Sequence, residues 1–146
     1  MASTTTVVNP RSAFAEHGYY FKPAAILTIA LGFSLHLYRI IFGDEMTLRY
    51  VLNPTTDALL LIPMTYAAVT GIMIWRRVDF VNTPHKVFFT WSLAYFTLSV
   101  PLHVYCALIK GDVSFYVRFF DVWLSYLLLP FYVALLTMFW RLRLRP

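Results

Sequence analysis

The sequence predicts an all-α integral membrane protein: four transmembrane helices in an up-down-up-down bundle, with both termini on the cytoplasmic or equivalent side. Three observations carry this. Of 146 residues, 60% are hydrophobic and only 13% charged, with a mean hydropathy of +0.65; a soluble domain has about 25% charged residues. Four apolar runs of roughly 20 residues, each about 30 Å long as a helix, match the hydrocarbon core and use most of the chain. The basic residues gather at alternate connections. Arg11 and Lys22 precede the first run, Arg76, Arg77 and Lys86 separate the second from the third, and Arg141, Arg143 and Arg145 follow the fourth; only Arg49, Lys110 and Arg118 lie in the other two connections. Such an excess marks the cytoplasmic face, and short connections make sequential helices antiparallel neighbours, with the first and third diagonally opposed.

The elements follow in order. Residues 1–22 are Ser/Thr-rich with little apolar surface and predict a flexible arm. It closes on Tyr19, Tyr20, Phe21 and Lys22, rings and a cation suited to the membrane interface. No apolar stretch of secretory type precedes the first span. That span is predicted over 23–42, with Pro23 in the first turn and Gly43 as its stop. Asn53 and Pro54 open the second, over 54–75, which Arg76 and Arg77 close. Thr83 and Pro84 open the third, over 84–109, and Lys110, Gly111 and Asp112 make the turn after it. The fourth starts amphipathic at 115, becomes apolar after Asp121 and ends at 140; a basic tail, 141–146, follows. Residues 23–140 form one domain. Pro63, Pro101 and Pro130 lie inside spans and are expected to kink them, which membrane helices tolerate when neighbours satisfy the freed carbonyls.

Several function classes fall away. With no room for a soluble domain, function lies in the bundle, its loops or a partner. The net charge of +5 is distributed as a topology signal, so nucleic acid is not an expected partner. One cysteine, Cys106, excludes an intrachain disulfide. No base and carboxylate series around it resembles a catalytic triad, and it reads as a small buried hydrophobe.

Polar residues inside the spans carry the functional expectations, because an ionisable group in hydrocarbon is costly without partners. His36 and Arg39 share one face of the first span. His36 lies six residues before Phe42 and His103 six before Ile109, so both are about 9 Å below the outer boundary. Arg39 and Asp57 lie three residues inside their span ends at the same surface, where Asp121 begins the buried part of the fourth helix. Helical spacing also aligns Ser92, Ser99, His103 and Cys106 on the third span, and Asp121, Ser125 and Tyr132 on the fourth.

Three readings of this constellation stand side by side. The leading one is a hydrogen-bonded ring that fixes helix register, with Arg39 and Asp57 as a structural ion pair. A second is a cofactor site in which His36 and His103 ligate a haem b and Arg39, helped by Arg49 or Arg118, meets its propionates. A third is a metal ion held by His36, His103, Asp57 and Asp121, whose imidazole and carboxylate donors suit zinc, iron or copper. Near the opposite surface, Trp75 and Trp140 fit an aromatic belt, and Arg141, Arg143 and Arg145 fit an anchor near anionic lipid.

Over part of the chain, His36 followed eight residues later by Asp44, Thr83-Pro84 at the third span and Tyr126-Leu127-Leu128-Leu129-Pro130-Phe131 in the last give a further expectation. These stretches resemble the four-helix sterol-binding membrane proteins of the sigma-2-receptor and emopamil-binding class. The resemblance implies a pocket for a sterol or lipophilic amine and, in some members, a double-bond isomerase using carboxylates and a histidine.

The function expected from all this is an accessory or structural subunit of a larger membrane complex, electron-transfer assemblies included, with the balance against an enzyme. The alternative is a binder of a cofactor or small ligand in the outward polar pocket. The expected partners are membrane lipids and other membrane-protein subunits, in a plasma or inner membrane.

Overall fold

A computed structural model describes residues 10–42, 51, 53–114 and 122–145, with side chains from residue 19 onward in the first segment and from 123 in the last. The secondary structure among the described residues is helical apart from one isolated β-bridge. Four of its helical stretches, Tyr19–Phe42, Pro54–Arg77, Thr83–Lys110 and Trp123–Arg141, are long and apolar enough to cross a membrane.

Helix α1, Pro10–Phe42, starts well before the predicted span, so the expected arm is helical from Pro10 and Pro23 lies inside the helix. Hydropathy marks the part suited to hydrocarbon; backbone hydrogen bonding can continue beyond it, and Pro10 at the first position sacrifices no helical N–H bond. Helix α2, Pro54–Ile74, has the cap expected of Asn53. Asn53 Oδ1 accepts from the backbone N–H groups of Thr55 and Thr56 at 3.0 and 3.1 Å. The Thr56 hydroxyl returns to the Asn53 N–H at 3.0 Å, so two otherwise orphaned donors are satisfied reciprocally. A 3₁₀ turn, Trp75–Arg77, ends it.

Helix α3, Thr83–His103, is capped by Asn82 rather than Thr83: Asn82 Oδ1 accepts from the His85 N–H at 2.9 Å. The chain then widens into a π-helical segment, Val104–Lys110, which stops at Gly111 with φ 60°. That left-handed conformation favours glycine. Helix α4, Val122–Arg141, follows; the amphipathic start predicted for the fourth span lies outside the described residues.

The backbones of α1 and α4, α1 and α2, and α2 and α3 approach closely. Helices α3 and α4 also meet through long side chains. Phe88 and Phe131 rings lie 5.9 Å apart, Phe96 and Phe139 6.0 Å, and the Tyr95 and Tyr132 hydroxyls bond at 2.7 Å. Near one end Phe21, Phe89 and Phe139 pack edge to face, with centroids 5.5 to 6.3 Å apart. Phe21, expected at the interface with Tyr19 and Tyr20, is fully buried in this cluster, whereas both tyrosines are exposed. Close by, the chain after α4 folds back on the α2–α3 connection: Leu144 forms an antiparallel bridge with Val78, Asp79 N–H donates to Arg143 O at 3.0 Å, and Arg145 N–H donates to Arg77 O at 2.7 Å.

Candidate functional site

The site is built from two histidines, each held by a neighbouring helix. On α1, His36 Nδ1 lies 2.9 Å from the Ser125 hydroxyl of α4. Its ring also faces Tyr132, two turns further along the same face of α4, at 5.5 Å between centroids. Tyr132 stands over Gly32, where an added Cβ would meet its ring and hydroxyl at 3.5 Å, and passes the polar run on to Tyr95 of α3. On α3, His103 Nδ1 lies 2.5 Å from Asp57 Oδ1. Asp57 is fully buried, and the His103 side chain is 17% exposed.

Local structure explains why Asp57 can be there. It sits in the first turn of α2, where the helix dipole favours a negative charge. The bond to Asp57 Oδ1 holds the His103 imidazole in one orientation. Ser125 can donate or accept, so the His36 pair leaves that ring's tautomer open. Among the described residues no buried side-chain nitrogen or oxygen lacks a partner.

The expected site residues thus divide. Each histidine reaches an adjacent helix: His36 goes to Ser125, and His103 goes to Asp57. Arg39 also has an interaction of its own. Among the described residues no group of three or more His, Cys, Asp or Glu comes together to hold a metal ion, so His36, His103 and Asp57 are not gathered as one ligand set. Asp121, the fourth expected ligand, lies outside the described residues, as do Arg49 and Arg118. Tyr95 carries no sequence signal that marks it as a site residue. A helical-face pattern aligned Ser125 and Tyr132 on α4, but no sequence pattern could pair them with His36 or Tyr95 on other helices.

Among the described residues, two of the grooves that flank this interior are lined without His36, His103 or Arg39. One, of about 580 Å³, runs between α2 and the π-helical segment, lined by Ala58, Leu61, Thr65, Tyr66, Val104 and Leu108 among others. Ala58 follows Asp57 and Val104 follows His103, so the groove passes beside that pair. The other, of about 440 Å³, is lined by Ile72, Met73, Trp75, Arg76 and Leu93. Comparison of the chain with protein-family models, curated proteins and solved structures gave no match.

Proposed function

We propose that this chain is an integral membrane protein with four antiparallel spans, both termini on the cytoplasmic or equivalent side, and that it serves as an accessory subunit of a larger membrane complex. The up-down-up-down reading is supported by pairings at two heights. Phe21 meets Phe139 near the start of the apolar part of α1, and His36 meets Ser125 nearer its end. The observation that carries the functional reading is that interior polar groups bond to one another: His36 to Ser125, His103 to Asp57 and Tyr95 to Tyr132. In this reading Arg39 completes the ring as the ion-pair partner of Asp57. Such bonds fix helix register in hydrocarbon, and the apolar outer faces, which expose Ile62, Trp91 and Leu98, meet lipid and neighbouring subunits.

The test is native-level expression with a tag, extraction in a mild detergent, and mass analysis of the intact particle. The expected result is a stoichiometric complex of defined membrane subunits far larger than the 17.0 kDa chain. A monodisperse particle containing this chain alone would overturn the reading.

One observation favours a second reading, a binder of a lipophilic small molecule: the groove beside His103 and Asp57 is largely apolar but carries the Thr65 and Tyr66 hydroxyls. Extraction and mass spectrometry of the purified chain would then find a polycyclic or polyprenyl molecule that Leu61→Trp displaces. A Soret band lost in both His36→Ala and His103→Ala would instead establish the haem form of the binder.

A further inference from the structure

We propose that the end of the bundle formed by the α2–α3 connection and the C-terminal tail is a binding site for a phospholipid with a net negative headgroup, its acyl chain in the α2–α3 groove and its phosphate on Arg76 and Lys86. The inference rests on insertion of the chain in a bilayer and not on its role as a subunit.

The first observation is a concentration of positive charge that orientation alone does not require. A topology signal needs cations near one surface; it does not need the tail pinned to a loop. Here the Val78–Leu144 bridge and the bonds of Asp79 to Arg143 and Arg145 to Arg77 hold the two basic stretches together. Arg76, Arg77 and Lys86 are thereby joined by Arg141, Arg143 and Arg145, and the one acid in these stretches is Asp79. Arg145 Nε occupies Asp79 Oδ1 at 3.1 Å. Among the described residues no carboxylate forms a salt bridge with Arg76, Arg77 or Lys86, and six cations against one acid in these stretches are complementary to an anion.

The second observation is that one groove presents both halves of such a lipid's chemistry. Its body is apolar, from Ile72 and Met73 of α2 and Leu93 of α3, and Arg76 lines its end. Trp75 forms one wall, with its indole N–H donating to the Thr90 hydroxyl across to α3 at 3.1 Å. Lys86 Nζ lies 5.0 Å from the centre of that indole, so a second cation stands against the groove's Trp75 wall. A free inorganic phosphate would use the mouth alone, and an acyl chain with a neutral headgroup would use the body alone. A phospholipid of net negative charge uses both, as basic pockets between membrane helices do.

The experiment is native mass spectrometry of the full chain released from nanodiscs containing equal amounts of phosphatidylglycerol and phosphatidylcholine. The expected result is selective retention of one phosphatidylglycerol. Arg76→Gln and Lys86→Gln should each reduce that selectivity about fivefold, the effect of one cation at an anionic surface. Met73→Trp, made from the lipid-facing side of the groove, should lower occupancy by either lipid, and circular dichroism should show that all three variants keep their helix content. Equal retention of the two lipids would overturn the proposal. So would selectivity that survives all three substitutions but disappears in Arg141→Gln/Arg143→Gln, since a diffuse cationic surface would then suffice. Displacement of the lipid by glycerol phosphate at matching concentration would also overturn it, because the chain would contribute nothing.

Discussion

Asp57 has no water to fall back on: it is fully buried, and it is held by the His103 imidazole and the first turn of α2. Truncating one partner of a buried hydrogen-bonded pair takes that bond from a group that stays buried, which costs more than the pair contributes. Asp57→Ala is therefore expected to destabilise the bundle by about 3 kcal/mol, and His103→Ala by a comparable amount. The double variant should lose less than the sum. Reversible unfolding of all four proteins in micelles measures this, and strictly additive losses would show that the two side chains do not act together. The His36–Ser125 bond involves a neutral hydroxyl. Ser125→Ala should cost only about 0.6 kcal/mol, the average for an interhelical hydrogen bond in a membrane. That each histidine lies within an apolar helix was legible in the sequence. Their partners were not, because a side chain chooses among residues on other helices only when those helices are rotated into place.

At the scale of the element, the two interior glycines separate close packing from mere smallness. A Cβ on Gly71 would collide with the Leu93 side chain and lie 2.7 Å from the Phe21 ring. Leu93 could shift, but Phe21 is wedged between Phe89 and Phe139, at 5.8 and 5.5 Å. Overpacking of this kind costs about 1–3 kcal/mol, which is the loss expected for Gly71→Ala. At Gly32 the added carbon would meet Tyr132 at an ordinary 3.5 Å, so Gly32→Ala should fall within experimental error of the parent in the same unfolding assay. Loss of stability in the reverse order would contradict this packing. The start of α2 was well marked in sequence: Asn53 and Pro54 act locally, on backbone groups within three residues. The π-helical widening at Val104–Lys110 had no such local mark, and neither did the burial of Phe21, since an aromatic ring at the end of a span reads the same whether it faces the interface or the core.

For the whole molecule, alternating basic connections and the two levels of interhelical contact support opposite exposure of successive loops. Cys106 is buried, which leaves single introduced cysteines readable after Cys106→Ala. Val81→Cys, in the exposed α2–α3 connection, and Lys110→Cys, at the end of the π-helical segment, should react with an impermeant maleimide from opposite sides of sealed vesicles. Labelling of both from one side would overturn the antiparallel arrangement. The same scale shows how the tail becomes part of the structure: its arginines alternate with Leu142 and Leu144, and the bridge to Val78 turns a basic sequence into a basic surface.

The sequence by itself determined four apolar helices, the cap of α2, and which polar residues lie within the apolar helices. Hydropathy, capping and helical rise are local properties, set by neighbours a few residues away. Only the tertiary structure decided that His36 belongs to Ser125 and His103 to Asp57, that Phe21 fills the core, and that the tail closes over the α2–α3 connection. These depend on the rotation of each helix about its axis and on contacts between residues far apart in the chain, such as His36 with Ser125 and Phe21 with Phe139, and an apolar helix with so few polar marks allows many rotations until its neighbours select one.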